Sequence, residues 1–200
     1  MATPRHVQMR DTFDAFRQQC EWIQTCFDTN RDLFDSGQAR KKLMATTAPG
    51  FFQELNIILM ENYILQACKI TDPPTTRVGK GETRENLTVS NLNGLLGAQG
   101  LMTDEIKSSS EALHRYRELI LDARNRSISH ADKETALSYI ELGWHLKSEA
   151  LAFLDSMHKY CDAIAEAIGA EPLDFRSSSG PGDVADLFKA LNGGVYLPPS

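Results

Sequence analysis

Apolar residues recur along much of the chain at alternating steps of three and four positions, which is typical of the buried face of an amphipathic helix. The first such stripe consists of Phe13, Phe16, Cys20, Ile23 and Phe27. It predicts a helix from near Gln8 to about Ser36. The most regular stripe lies later in the chain and consists of Leu146, Ala150, Phe153, Met157, Cys161, Ile164 and Ile168. Gly169 follows it and is predicted to end that helix.

Three further helices are predicted between these two. The most apolar segment, residues 51–70, stops before Asp72-Pro73-Pro74, where proline cannot continue a helix. Polar residues interrupt this segment, so it predicts a buried core helix and not a membrane span. Thr88 and Thr103 are predicted to cap a short helix and a longer one, because a threonine oxygen can accept from the first free backbone N–H groups.

The remaining segments are polar. Residues 72–86 predict a solvated loop, and their Gly79-Lys80-Gly81 lacks the spacing of a nucleotide-binding loop. The run of serine, glycine and proline at 177–182 predicts a flexible linker, followed by a short helix at 183–191. With no convincing strand pattern, we expect an all-α, up-and-down bundle of four to five helices over residues 1–170 and a flexible C-terminal arm over 171–200.

Composition limits the class of protein. The 200 residues are 42% hydrophobic and 24% charged, with a net charge of -6, so any contact with nucleic acid needs a local basic patch. The four cysteines are scattered, without the spacing of a zinc site, and no cofactor is expected. Because the sequence shows neither a secretory segment nor a membrane span, we expect a cytoplasmic protein with reduced thiols in its core.

Arg124 and His130 are the candidate catalytic residues. Arginine offers a rigid fork of donors to a phosphate, and histidine transfers protons near neutral pH. Together they would suffice to cleave a phosphodiester without a metal. On a continuous helix they would point roughly 120° apart, so they can converge only if the helix ends or bends between them. Asn125 and the serines that follow favour such an end.

Other polar residues near this pair could support it. His114, Arg117 and Arg124 share one helix face. With Arg126 and His130 they would form a cationic strip on an acidic protein, while Asp132 could orient the imidazole. The alternative stays open that these are solvated or salt-bridged surface groups, such as ordinary helix pairs with nearby carboxylates.

Three segments together resemble one known family. Arg124-Asn125 followed by His130 resembles the R-x(4–6)-H signature of the HEPN (higher eukaryotes and prokaryotes nucleotide-binding) superfamily. Residues 68–72, Cys-Lys-Ile-Thr-Asp, and residues 85–88, Glu-Asn-Leu-Thr, resemble the "-LTD" helix end and "-NLT-" helix start of its abortive-infection branch. Residues 129–133, Ser-His-Ala-Asp-Lys, resemble the "AHxDK" wording of that branch. The resemblance covers roughly residues 10–168.

The resemblance implies a metal-independent endoribonuclease that forms a homodimer, with the two signatures facing each other across the interface. Arg124 would bind the scissile phosphate, and His130 would act as general base or acid for attack by the RNA 2′-hydroxyl. Asn125 would help to fix the turn or contact the backbone of the partner. From their positions in the sequence, Arg126, Arg117, His114 and Asp132 are expected to support the site or contact RNA. The expected setting is a toxin, with an antitoxin or other protein partner, or a phage-defence effector.

Two other functions stay open at this point. One is a non-catalytic helical dimer that binds a nucleotide, RNA or a protein, because members of this superfamily also serve as binding modules. The other is an interaction protein that works through residues 171–200.

Overall fold

The computed structural model describes residues 4–79, 81–125, 147–175 and 181–193. These ranges hold seven α-helices and one pair of short strands. In chain order the elements are α1 (Pro4–Phe34), α2 (Gln38–Thr47), α3 (Pro49–Thr71), β1 (Thr75–Val78), β2 (Glu82–Glu85), α4 (Val89–Ala98), α5 (Asp104–Ala123), α6 (Lys147–Ile168) and α7 (Val184–Asn192). The predicted all-α class is confirmed.

The main core lies between α1, α3, α4, α5 and α6. The apolar stripe predicted for α1 and that for α6 from Ala150 onward face it, with Phe16 of α1 and Met157 of α6 fully buried, while Leu146 lies outside the described residues. At the contact between α5 and α6, the ring of Tyr116 stacks on that of Phe153 with centroids 4.5 Å apart. The buried Tyr160 hydroxyl donates to Asn93 Oδ1 at 2.8 Å, which ties α6 to α4. Burial of these stripes is the main stabilising contribution to the bundle.

The helix ends follow their predicted caps. Thr88 and Thr103 each accept at 3.2 Å from the backbone N–H three residues later, at the starts of α4 and α5. Gly169 has a φ of 68°, which a residue without a Cβ adopts readily, and ends α6. The N–H of Ala170 then donates to the carbonyl of Ala165 at 2.8 Å, which pairs one of the carbonyl groups left free at the C-terminal end of α6.

A second, smaller cluster joins α1, α2, α3 and α7. Its buried members are Leu33, Met44, Phe52 and Phe188. The predicted short C-terminal helix is confirmed as α7, whose N-terminus is capped by Asp183. By contrast, α2 has no counterpart in the sequence pattern, because Met44 is its single buried residue and leaves no apolar stripe to detect. The division of the chain at residue 170 stays a prediction.

The predicted loop at 72–86 contains a β-hairpin, which corrects the expectation of an irregular segment. Strands β1 and β2 pair antiparallel from Thr75↔Glu85 to Val78↔Glu82. Both strands are largely exposed, so they lack the alternating apolar face by which short strands are recognised. The side-chain amide of Asn86 closes the hairpin base by donating to Pro73 O at 2.8 Å and Thr76 Oγ1 at 2.7 Å.

The cysteines agree with the prediction, whereas α3 is buried only in part, because Phe51, Ile57 and Ile58 are 59%, 52% and 59% exposed. Cys20, Cys26, Cys68 and Cys161 are all buried free thiols. None of the helices in the described ranges has the length and apolarity that a bilayer crossing requires.

Two neighbouring residues of α5 test the position of the core. Ile120 is fully buried, whereas Leu119 is 44% exposed. We expect Ile120→Ala to lower the free energy of unfolding by about 2–5 kcal/mol, because it leaves a cavity. Leu119→Ala should change it by less than about 1 kcal/mol. Urea denaturation measures both, and equal losses would contradict the placement of this helix face.

Candidate functional site

The site begins where α3 ends. Asp72 is the first residue after α3 and is followed by Pro73 and Pro74, which cannot continue the helix. The hydroxyl of the preceding residue, Thr71, donates to the carbonyls of Ala67 and Cys68 at 2.9 and 3.1 Å. The backbone N–H of Asp72 donates to Lys69 O at 3.5 Å. Asp72 is thus anchored at a fixed point beside α5.

Arg117 of α5 and Arg124, the residue that follows α5, share the Asp72 carboxylate. Arg117 donates from Nη2 to Oδ1 at 2.9 Å, and Arg124 donates from Nη2 to Oδ2 at 3.3 Å. The two arginines are seven residues apart, which is about two helical turns, so both lie on the helix face turned towards Asp72. We call Arg117 and Arg124, together with the Asp72 carboxylate that bridges them, the bridged arginine pair.

The bridged arginine pair has an excess of positive charge. Two guanidinium groups face one carboxylate, which leaves a net charge of one. The side chains are 20% exposed for Arg117 and Asp72 and 32% for Arg124. Partial burial lowers the local dielectric, so the excess charge acts on an approaching anion more strongly than a solvated lysine or arginine would.

Both guanidinium groups have N–H donors that the described residues leave unpaired. Arg124 uses Nη1 for Asn125 Oδ1 at 2.8 Å, in addition to its bond to Asp72. Among the described residues, no acceptor reaches the buried Nε of Arg117. The described contacts occupy one Nη hydrogen of Arg117 and two of Arg124, out of the four that each guanidinium carries on its Nη groups.

The backbone changes form at Arg124. Regular α5 ends at Ala123, and Arg124 and Asn125 form a π-helical turn. Such turns are rare inside helices and are frequent at functional sites. Arg124 keeps helical φ and ψ angles of -58° and -47°, so the expected end or bend of the helix between Arg124 and His130 stays a prediction. His130, Arg126 and Asp132 lie outside the described residues, so their expected meeting with Arg124 stays a prediction.

His114 lies at the edge of this site. Its Nε2 is 3.4 Å from the hydroxyl oxygen of Ser90 on α4. Burial lowers the pKa of His114, and the positive charge of Arg117 lowers the pKa further, against a smaller opposing effect of Glu118. Near neutral pH His114 therefore adds a neutral imidazole, and the charge of this helix face comes from its arginines.

Cys68 lies on the buried side of the site. Burial raises the pKa of its thiol to about 11, although the charges of Arg117 and Arg124 oppose the shift. Its thiol therefore stays protonated at neutral pH and is not a nucleophile. The Cys68 thiol is fully buried, while the Arg117 and Arg124 side chains beside it are partly exposed.

Asp72 is the site residue that the sequence patterns did not single out. It is 45 and 52 positions from its two partners, so no local spacing rule connects them. The available signal was the "-LTD" segment, in which Asp72 is the acidic residue. In the "-NLT-" segment Asn86 closes the hairpin and Thr88 caps α4, so both have structural roles.

Comparison with known proteins shows the family of the chain. The family model HEPN_AbiU2, described as AbiU2, matches residues 8–187, and the chain belongs to this family. Membership indicates a nuclease or defence-related role. Neither a curated protein nor a solved structure matches the chain significantly.

The pKa of His114 tests the charge distribution in the site. We expect it to titrate below the usual value of 6.5 in the folded protein. Replacing Arg117 with Gln removes a positive neighbour and should raise the pKa, while burial keeps it below 6.5. Imidazole chemical shifts measured by NMR against pH give both values.

The matched control is Arg115→Gln, since the Arg115 side chain is 67% exposed and pairs with Glu111. It should leave the His114 pKa unchanged. Because the unfolded chain binds the proton more readily, His114 should also reduce stability as the pH falls through 6.5. An unshifted His114, or equal effects of the two variants, would contradict the described surroundings.

Proposed function

We propose, from membership of the HEPN_AbiU2 family and the bridged arginine pair, that the protein is a metal-independent endoribonuclease. Arg124 would bind the scissile phosphate of RNA. His130 would transfer the proton that the reaction has to move. Asn125 would hold the turn between them, and Arg126, Arg117, His114 and Asp132 would support the site.

The observation that carries the proposal is the environment of Arg124. Its guanidinium lies at the end of α5, is 32% exposed, and is oriented by Asp72 and Asn125. An oriented guanidinium at a partly buried site matches the geometry of a phosphate, and its side chain needs little reorganisation on binding. A freely solvated arginine would provide neither advantage.

The chemistry follows from these groups. His130, as a general base, would take the proton from the 2′-hydroxyl, whose oxygen attacks the adjacent phosphorus. The bond to the 5′-oxygen then breaks, and that oxygen takes up a proton. The products are a 2′,3′-cyclic phosphate and a 5′-hydroxyl. Arg124 would stabilise the charge that develops on the phosphate oxygens. DNA lacks the nucleophile and would resist cleavage.

The partners are part of the same proposal. RNA would be the substrate, and two copies of the chain would place their signatures across one interface. A toxin that acts inside the producing cell would also need an antitoxin or another protein to restrain it. A phage-defence effector would instead be released from restraint during infection.

Cleavage in the presence of EDTA tests the enzyme directly. Total RNA is incubated with the parent protein and with Arg124→Ala and His130→Ala. We expect the parent to cleave and each variant to lose about 100-fold or more in rate, as is usual when a charge-stabilising donor or a general base is removed. Arg115→Ala, an exposed arginine on the same helix, is the matched control and should cleave like the parent.

The outcomes separate the candidate functions. Equal cleavage by all proteins would point to a contaminating ribonuclease, and loss in EDTA would contradict the metal-independent mechanism. Binding of RNA without cleavage by the parent would favour the non-catalytic binding module.

The oligomeric state is a separate test. Sedimentation equilibrium should give twice the mass of the chain, because the proposed site faces a second copy. Arg124→Ala should stay a dimer if its defect is chemical. A parent that remains monomeric at the concentrations of the cleavage assay would contradict the dimeric arrangement.

A further inference from the structure

We infer that Asp72 is a positioning residue of this site, whose carboxylate holds Arg117 and Arg124 together so that both guanidinium groups can bind one RNA phosphate. The inference rests on the proposed function and extends it from one arginine to a pair. Asp72 would act through the arginines and would not touch the substrate.

Like charges explain why a bridge is needed. Two guanidinium groups on one helix face repel each other, and their long side chains otherwise keep their rotamer freedom. Asp72 gives one carboxylate oxygen to each, at 2.9 Å to Arg117 and 3.3 Å to Arg124. The bridge therefore fixes one Nη group of each arginine on the same carboxylate.

A phosphodiester can be shared in the same way as the carboxylate. It also offers two oxygens at close spacing, so two arginines fixed at one point can each donate to one of them from the Nη hydrogens that Asp72 leaves unpaired. The Nε of Arg117 is buried, so a phosphate from solvent reaches this arginine through its Nη groups. Arg124 is the more exposed of the two, at 32% against 20%. Both groups have donors left for an anion while they remain on Asp72.

Asp72 cannot itself be a phosphate ligand. Its carboxylate repels a phosphate, so it weakens the attraction of RNA while it improves the geometry. Loss of its charge should therefore move binding and cleavage in opposite directions. A residue that merely stabilises the fold would reduce both together.

Asp72→Asn separates these effects because it removes the charge and keeps the shape. Cleavage is measured on a single-stranded RNA oligonucleotide in EDTA. Binding is measured on the 2′-O-methyl version of the same oligonucleotide, which lacks the nucleophile. The matched control is Glu111→Gln, which removes one negative charge from a side chain on α5 that is 73% exposed.

We expect Asp72→Asn to cleave at least about 10-fold more slowly, since a misplaced catalytic group can cost up to about 100-fold. Its binding should equal or exceed that of the parent. The slope of log affinity against log salt should steepen by about 0.7, the value for one additional phosphate contact on single strands. Glu111→Gln should cleave within about twofold of the parent.

If a thermal melt shows that Asp72→Asn is unstable, Asp72→Glu is measured in its place. It keeps the charge but displaces the oxygens, so we expect binding like that of the parent and slower cleavage.

Weaker binding together with slower cleavage in a folded variant would overturn the positioning role, as would unchanged values in both assays. If the parent cleaves and Asp72→Asn behaves like Glu111→Gln, the inference alone is wrong. If the parent does not cleave RNA at all, the proposed function fails, and the inference fails with it.

Discussion

The charge and the geometry of this site depend on one carboxylate that two arginines share. Asp72 lies at the end of α3, Arg117 lies on α5, and Arg124 directly follows α5, about two turns further along. The bridge couples two helices of the bundle and leaves one positive charge in excess on a protein whose net charge is -6. Because the attraction is local and partly shielded from water, an acidic protein can still offer a phosphate-binding surface.

Much of the fold could be predicted because helix periodicity is a local signal. Spacings of three and four residues identified α1 and α6, and threonine caps identified the starts of α4 and α5. The signal failed where an element buries little. Helix α2 has Met44 as its single buried residue, and the hairpin is largely exposed on both faces, so neither carries a period that the sequence can reveal.

The site could be predicted only in part, for a similar reason. Arg117 and Arg124 share a helix face, and that relation follows from the sequence alone. Their partner does not, since an ion pair across 45 or 52 positions depends on how α3 packs against α5. The lowered pKa of His114 likewise depends on burial and on Arg117, so spacing alone suggested a cationic residue where the fold favours a neutral one. Whether His130 meets Arg124 stays a prediction.

The central claim is that the bridged arginine pair binds a phosphodiester of RNA. NMR of the arginine side-chain N–H groups tests it most directly, in a titration with a short 2′-O-methyl RNA. We expect the resonances of Arg117 and Arg124 to shift together and saturate, while those of Arg115 stay in place. A titration in which RNA binds and neither Arg117 nor Arg124 moves would contradict the claim.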